Sequence, residues 1–293
     1  EGKEAAEAKV MAEEVAAADD AFEAAAEAET EDAAAKATKR AEWVASTASL
    51  LGSIEMSSHA DHVRPIELLD ELYDTSGSWD LGAGANGAVR TITKRSNGKT
   101  FALKTMPPDL ELHGDEDTAL RKLLEDVEMQ RSLEHPNIAP VLDVFLNRET
   151  REVSFVMALA SGGSLSRFLT HHPNLSEGAK AVIARKMISA VRYCHEQSIC
   201  HRDIKLENFV FESTAEDAEV MLIDFGMAYK MTPGELIEDG CSTFLYMAPE
   251  MFYLYHVHVA KTGGSVLYDT KVDMWALGVT IFQMLYGIMP LGL

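Results

Sequence analysis

The chain changes once from strands to helices, and this single change limits the folds that it can adopt. Residues 79–158 contain short alternating runs separated by turns, including 88–93 and 100–104 on either side of Asn97-Gly98. One helix is expected after these strands have begun, at about 118–133. Beyond residue 165 the apolar residues recur with the period of a helix, which predicts helices at 165–170 and 177–196. This order predicts an α+β fold in which a small strand-rich lobe precedes a helical lobe.

The chain of 293 residues divides into three regions by composition. Residues 1–45 are rich in Ala and Glu with few large apolar residues, which indicates an acidic helical or disordered arm. Residues 46–76 have the character of a linker with one short helix that begins near Pro65. The folded domain is expected over 77–293.

Charge and cysteine content exclude several classes of partner. The net charge of −21 opposes broad affinity for nucleic acid or for anionic membranes. Cys194, Cys200 and Cys241 lack the spacing of a disulfide framework or a zinc site, so we expect an intracellular, cytoplasmic protein. No signal peptide is visible, and the apolar run 275–293 contains Gly, Gln and Pro, which favours a buried helix over a membrane span.

A glycine-rich stretch, G-x-G-x-x-G-x-V, is formed by Gly82, Gly84, Gly87 and Val89. Such stretches also occur in dinucleotide sites and in plain turns. A dinucleotide site requires a helix directly after the glycines, whereas here an alternating strand follows. The context favours a hairpin loop whose backbone N–H groups lie over phosphates. Lys104, at the end of the next strand, is then a candidate cation for these phosphates.

A second polar stretch lies between apolar runs at residues 200–211 and contains Asp203, Lys205 and Asn208. Asp224 follows 16 residues after Asn208. Phosphoryl transfer to a hydroxyl needs a carboxylate that orients the hydroxyl, oxygen ligands for magnesium, and cations near the phosphates. These residue types supply all three requirements.

Three further motifs stand in a fixed order: His201-Arg202-Asp203, Ile223-Asp224-Phe225-Gly226 and Met247-Ala248-Pro249-Glu250. With them, residues 79–293 resemble the eukaryotic protein kinase family. The resemblance implies a bilobal fold with ATP in the cleft between the lobes. It divides the domain into an N-lobe and hinge at 77–160 and a partial C-lobe at 161–293, C-terminally incomplete.

The resemblance also assigns roles to single residues. It implies that Asp203 is the catalytic base, that Asn208 and Asp224 bind Mg²⁺, and that Lys205 and Lys104 assist transfer. The nucleotide contacts that it implies are Leu81, Gly82, Gly84, Gly87, Val89, Ala102, Lys104, Met157, Ala158 and Ala160.

One supporting residue departs from the family pattern. The helix glutamate that should pair with Lys104 is replaced by Asp126, which is shorter by one methylene, about 1.5 Å. We expect Asp126 to be the partner of Lys104, with neighbouring Glu125 as the alternative. Asp273 resembles the buried helix aspartate that fixes the catalytic loop; an ordinary helix cap is the alternative.

Arg202 is the residue that, in relatives, pairs with a phosphate on the activation segment, here residues 224–250. Glu235, Glu238 and Asp239 lie near the centre of this segment. Because carboxylates can take the place of a phosphate, we expect activity without phosphorylation of this segment. Thr243 is expected to contact the catalytic base.

The catalytic loop, residues 201–208, has Lys205 in the serine/threonine form. Residues 207–211, followed by Asp217-Ala218 and by residues 223–226, are similar to calcium/calmodulin- and calcium-dependent protein kinases. No EF-hand loop occurs in the chain, so a calcium-sensor region would lie outside it. The expected protein is a monomeric serine/threonine kinase that uses ATP and Mg²⁺ on a protein substrate. The alternative is a pseudokinase or scaffold without turnover, but such a protein has no physical need for Lys104, Asp203, Asn208 and Asp224 together.

Overall fold

The computed structural model describes residues 62–84, 87–215, 218–238, 243–253 and 267–290, together with Thr38. The chain separates into two units, Glu1–Asp61 and His62–Leu293. The predicted acidic arm at 1–45 lies outside the described residues, Thr38 excepted. The fold is therefore that of the second unit.

The N-terminal part of this unit is a curled sheet with the strand order β1-β6-β7-β5-β4-β2, and β3 pairs with β4. All pairs are antiparallel except β1 with β6. The predicted hairpin around Asn97-Gly98 is confirmed, since it joins β4 to β5. The strands are β1 Val63–Pro65, β2 Tyr73–Asp74, β3 Asp80–Gly84, β4 Gly87–Lys94, β5 Thr100–Met106, β6 Val141–Leu146 and β7 Val153–Ala158.

Residues 62–74 differ from the linker that the sequence suggested. The short helix is present as α1, Glu67–Leu72, but β1 before it and β2 after it are both part of the sheet. Tyr73 is fully buried and belongs to a core cluster that includes Ile92 and Phe145. The segment is therefore an integral part of the lobe, because its apolar side chains are buried only when the strands pair.

A helix packs against this sheet next to the candidate active site. The sequence places it at 118–133, and the structure has it as α3, Glu116–Arg131, after the short helix α2, Leu110–His113. Asp115 caps α3, since its side chain accepts a hydrogen bond from the Thr118 N–H at 2.9 Å. The first turn is acidic, which suits the positive end of the helix dipole.

The C-terminal part is mainly helical, as predicted. Ser164 and Ser176 cap α4, Leu165–His171, and α5, Glu177–Glu196. The polar loops of this part connect strands of two small antiparallel sheets, β11-β10-β8 and β12-β9. Their strands are β8 Gly163–Ser164, β9 Ile199–Cys200, β10 Phe209–Phe211, β11 Val220–Leu222 and β12 Tyr229–Lys230. The structure thus has the α+β, bilobal architecture that the sequence predicts.

The last helices complete the core of this part. α6 covers Pro249–Tyr253 and α7 covers Lys271–Tyr286, and α7 ends at Gly287 in the left-handed conformation with φ 72°. Short 3₁₀ helices lie at Leu206–Asn208 and Phe244–Tyr246. Most of the apolar run after residue 275 is helical, as expected, but it is buried only in part: Ala276, Leu277, Val279 and Met284 are buried, whereas Trp275, Leu285, Tyr286 and Ile288 are exposed. None of the described helices has the length and apolar character needed to cross a bilayer.

Candidate active site

Asp203 is the centre of a hydrogen-bonded cluster in the catalytic loop. Its carboxylate is buried, and Oδ1 accepts a hydrogen bond from Thr243 Oγ1 at 2.6 Å. Oδ2 accepts from Lys205 Nζ at 2.7 Å and from Asn208 Nδ2 at 2.9 Å. Lys205 Nζ also lies 3.2 Å from Thr243 Oγ1. The expected contact between Thr243 and the base is therefore present, and the carboxylate is fixed from three directions.

Asp273 holds the backbone of the same loop. It is buried in the first turn of α7, and its two oxygens accept hydrogen bonds from the backbone N–H groups of His201 at 2.7 Å and Arg202 at 2.8 Å. Thr270, not Asp273, is the N-cap of the helix. Of the two interpretations of Asp273, the structure therefore matches the one that fixes the catalytic loop.

Electrostatics around Asp273 favour its ionised form. Burial alone raises the pKa of this carboxyl, but the hydrogen bonds that it accepts from His195 Nε2 at 2.9 Å and from the His201 backbone N–H outweigh burial and hold the pKa below its usual value. His195 carries no signal in the sequence, because a histidine in the last turn of a helix usually serves the helix dipole. The structure adds it as a supporting residue of the loop.

His201 connects the catalytic loop to the segment that carries Asp224. Its Nε2 lies 3.2 Å from the Ile223 carbonyl oxygen, and its ring meets Phe225 edge-on with centroids 4.7 Å apart. Burial lowers the pKa of His201, so the ring is neutral. Arg202 and Asp224 both have left-handed backbones, with φ of 66° and 64°. Such non-glycine residues persist only where surrounding contacts hold them.

Asn208 and Asp224 lie at the same end of a strand pair. β10 and β11 are antiparallel with Phe209 opposite Leu222, and the Ile223 N–H donates to the Asn208 carbonyl oxygen at 2.9 Å. Asn208 immediately precedes β10, and Asp224 lies two residues after the end of β11. The pairing register therefore brings the two predicted magnesium ligands to neighbouring positions.

Lys104 faces this pair from the N-terminal sheet. Its Nζ forms an ion pair with Asp224 Oδ1 at 2.7 Å, and the lysine side chain is 9% exposed. Lys104 lies on β5 directly opposite Val89 of β4 and Phe155 of β7. The sheet thus fixes the cation beside the loops of the helical part.

The predicted ion pair between Lys104 and Asp126 is absent from the described residues, which corrects that expectation. Asp126 instead pairs with Lys122, one turn earlier in α3, at 3.3 Å. Asp126 and Lys104 line the same small cavity, so the aspartate does face the site. Glu125 is more exposed, at 41% against 22% for Asp126, and it also pairs with Lys122. The shorter carboxylate therefore finds a partner on its own helix.

Burial dominates the titration of Asp126. It raises the pKa of this carboxyl above its usual value, although Lys122 acts in the opposite direction. For this half-buried carboxylate, burial therefore outweighs the stabilisation of the ionised form by Lys122 and Arg202.

Four of the residues expected to contact the nucleotide lie along one face of the sheet. Opposite residues in antiparallel strands share a face, and so do residues two apart on one strand. Ala102 is opposite Met157, and Lys104 is opposite Val89. Val89, Ala102, Lys104 and Met157 therefore share one face, and Ala158 ends β7 just before Ala160.

The glycine-rich hairpin lies next to this face. β3 and β4 pair as far as Gly84 opposite Gly87, while the loop tip at 85–86 is outside the described residues. Gly87 has φ of +100°, and an added Cβ would come within 2.2 Å of the Thr105 carbonyl oxygen. Glycine is therefore required there. Gly82 has open space where a side chain would be, and Leu81 is exposed.

Comparison with known proteins agrees with this geometry. Residues 77–292 match the protein kinase domain family. NUAK family SNF1-like kinase 1 of Homo sapiens is 30% identical over 210 residues, covering 72% of this chain and 29% of the relative. The PAS domain-containing serine/threonine-protein kinase of Mus musculus is 35% identical over 212 residues, covering 72% and 14%. MAP kinase-activated protein kinase 5 of Homo sapiens is 30% identical over 253 residues, covering 80% and 51%.

This chain thus spans only about half the length, or less, of these three relatives. The family match, by contrast, includes the glycine-rich hairpin, the catalytic loop and the activation segment. On this match and on the geometry of these three segments, the chain belongs to the protein kinase family.

Proposed function

We propose that the chain is a serine/threonine protein kinase, which transfers the γ-phosphate of ATP to a hydroxyl group of a protein. The observation that carries this proposal is the Asp203 cluster, in which Thr243, Lys205 and Asn208 fix one buried carboxylate. A carboxylate offers about four lone-pair directions, so Asp203 can accept a further hydrogen bond from a substrate hydroxyl. In this arrangement Asp203 orients the attacking oxygen and accepts its proton.

Two lysines supply the positive charge that phosphoryl transfer requires. Lys205 Nζ lies 2.7 Å from the base, where it is close to the transferring group, and Lys104 Nζ lies on the opposite, sheet side. Transfer relies on positioning and electrostatic stabilisation more than on covalent chemistry by the protein. The Lys104–Asp224 pair holds both groups in place before phosphates arrive.

The donor set around Asn208 and Asp224 fits a magnesium ion. The Asn208 amide nitrogen donates to Asp203, so the amide oxygen is the atom available as a ligand. With the Asp224 carboxylate this gives two hard oxygen ligands, and Mg²⁺ usually takes only one or two from the protein. When bound, the metal ion would neutralise phosphate charge. Among the described residues, no group of three or more His, Cys, Asp or Glu side chains competes as a metal site.

The face with Val89, Ala102 and Met157 gives the nucleotide an apolar surface. Ala102 and Met157 are buried, and the alanines at 158 and 160 leave room for a ring beside the backbone. We assign adenine to this face, in continuity with Lys104 further along β5, which would meet the phosphates.

The subfamily and the substrate are proposed on narrower grounds. The relatives named above include a serine/threonine-protein kinase, and Lys205 in the catalytic loop supports the same specificity. Similarity to calcium-dependent kinases stays a prediction, which transfer assays with calcium and with a calcium chelator would test. The net charge of −21 favours basic protein substrates.

The proposal is tested by Asp203→Asn, with Asp70→Asn as the matched control. Asp70 is an exposed carboxylate of α1, on the other lobe. We expect Asp203→Asn to reduce phosphate transfer to a basic peptide by at least about a hundredfold, while the Kd for ATP with Mg²⁺ changes little. Asp70→Asn should transfer at the wild-type rate. Wild-type protein that binds ATP and transfers nothing would instead establish the pseudokinase alternative.

A further inference from the structure

The guanidinium of Arg202, directly before the catalytic base, is enclosed by groups from two other segments. Arg202 is buried, and its Nε donates to the Met227 carbonyl oxygen. Its Nη1 donates to the hydroxyl oxygen of Tyr268 at 3.1 Å. The guanidinium also lies over the Tyr229 ring, 5.5 Å from its centroid. Two aromatic residues, Tyr229 and Tyr268, thus contact this guanidinium.

Tyr268 touches two functional segments at once. It is 4% exposed and lies five residues before Asp273, just ahead of α7. Its side chain reaches Arg202 in the catalytic loop. Its backbone pairs with Ile237 in the activation segment, through Ile237 N to Tyr268 O at 2.8 Å and Tyr268 N to Ile237 O at 3.1 Å. One residue therefore connects the two segments that surround the site.

One carboxylate of the activation segment, Glu235, is used in other contacts. Glu235 accepts hydrogen bonds from the Tyr229 hydroxyl at 2.6 Å and from Thr232 N and Oγ1 at 2.6 and 2.7 Å. It forms no ion pair with Arg202, and reaches it only through the Tyr229 ring. Asp239 lies outside the described residues. The expectation for Glu235 is therefore corrected, because its carboxylate is used within its own turn.

We propose that Tyr268 is a positioning residue for phosphate transfer, which acts on the base Asp203 through Arg202. The proposal rests on the kinase function proposed above. Arg202 has a left-handed backbone, so contacts to its side chain and its N–H together determine where Asp203 points. Misplacement of a catalytic group by about 1 Å can cost around a hundredfold in rate. Tyr268 thus gives this loop an anchor from the segment before α7.

The test is Tyr268→Phe, which retains the ring, its burial and the backbone pairing with Ile237. Tyr193→Phe is the matched control, because the Tyr193 hydroxyl accepts a hydrogen bond from the Glu134 N–H at 3.2 Å, away from the catalytic loop. We expect Tyr268→Phe to lower kcat by about three- to tenfold, because Arg202 loses one hydrogen bond and water replaces that bond only in part. KM for ATP and Tm should match those of Tyr193→Phe. Equal kcat in the two variants would overturn the proposal.

A double-mutant cycle separates positioning from general packing. In an Arg202→Gln background, Tyr268→Phe should have no further effect on kcat, because the contact that it removes is already lost. Independent, multiplicative effects of the two substitutions would show that Tyr268 does not act through Arg202, and would reject the proposal.

Hydrogen exchange supplies a readout that does not depend on turnover. Amides of residues 200–204 should exchange several-fold faster in Tyr268→Phe than in wild type, and Tyr193→Phe should leave them unchanged. Wild-type protein without transfer activity would refute the kinase function, yet unchanged exchange in Tyr268→Phe would separately refute the anchor. The two failures are therefore distinguishable.

Discussion

Replacing Tyr73 with alanine should lower the free energy of unfolding by about 3–5 kcal/mol. The Tyr73 side chain is fully buried, and its ring meets Phe101 and Phe145 edge-on with centroids 6.2 and 6.3 Å away. Alanine retains none of these contacts. Because β2 is paired with β4, the surrounding strands cannot close the cavity fully, which places the loss in the upper part of the range for buried side chains.

Replacing Tyr73 with phenylalanine isolates the hydroxyl group, which donates to Asp143 Oδ2 at 2.5 Å. Asp143 would keep Arg64 at 3.1 Å and Lys94 at 4.0 Å, so we expect a loss of only about 1–2 kcal/mol. Burial raises the pKa of Tyr73 above its usual value. The folded state then keeps this proton after the unfolded state has lost it, so wild-type stability should fall as the pH rises above about 10. Tyr73→Phe should lack this contribution.

Urea and thermal unfolding measure these changes. For a folded unit of this size, each kcal/mol shifts Tm by about 2–4 °C, so Tyr73→Ala should lower Tm by about 6–20 °C. Tyr286→Ala is the control, because Tyr286 is 66% exposed and its loss should change stability by at most about 0.5 kcal/mol. If Tyr73→Ala unfolds with wild-type stability, residues 62–74 are a dispensable appendage and the reasoning from burial is wrong.

Two further substitutions test the supports of the site. Asp126→Glu should raise kcat by up to about tenfold, because the added methylene extends the carboxylate by about 1.5 Å toward Lys104. Single-turnover transfer measures this rate. An unchanged or lower rate would show that the carboxylate at position 126 acts with Lys122 and not with Lys104. Asp273→Asn should destabilise the fold by about 2–4 kcal/mol, because a buried acceptor of two backbone N–H groups is weakened. The pKa of Asp273 lies below its usual value, so its contribution to the free energy of unfolding is present above about pH 4 and is lost as the pH falls through the folded-state pKa. The urea midpoints of wild type and Asp273→Asn should therefore converge in acid. A gap between the two midpoints that stays constant with pH would contradict this assignment.

Locally encoded elements could be predicted well from the sequence. Helix α5 was expected at 177–196 and is found at Glu177–Glu196, because a serine cap, a continuous apolar face and the absence of Pro all lie within the segment. The hairpin of β4 and β5 was equally predictable, since Asn97-Gly98 lies between two alternating runs. Both depend on contacts between residues that are near in sequence.

Elements that depend on distant pairing were missed. β1 is only three residues long and pairs with β6, about 80 positions later, so nothing in Val63–Pro65 itself marks a strand. Tyr73 was placed in a linker with one short helix, although its ring is buried in the core of the sheet. A short, nonlocal strand has too little pattern of its own to be recognised.

At the candidate site, the sequence identified the residue types but could not decide their pairing. Motif order placed Asp203, Asn208 and Asp224 in one region, and the strand register then explains how the chain brings them together. Lys104 pairs with Asp224, and Asp126 pairs with Lys122 one turn away, and no sequence motif specifies these two choices. His195 and Tyr268 were missed because each contacts the loop through a tertiary hydrogen bond with no sequence motif.

The three-residue strand β1 also determines how the sheet meets other molecules. A sheet edge with unpaired N–H and C=O groups is a template on which a second chain can add a strand. β6 would present a six-residue edge of this kind, but β1 covers half of it, from Val144 to Leu146. The new edge is short and contains Arg64 and Pro65, a charge and a residue without an N–H donor, both of which discourage strand addition. Release of β1 would therefore expose a surface suited to intermolecular β-pairing, and this small strand protects the folded chain from aggregation through its sheet.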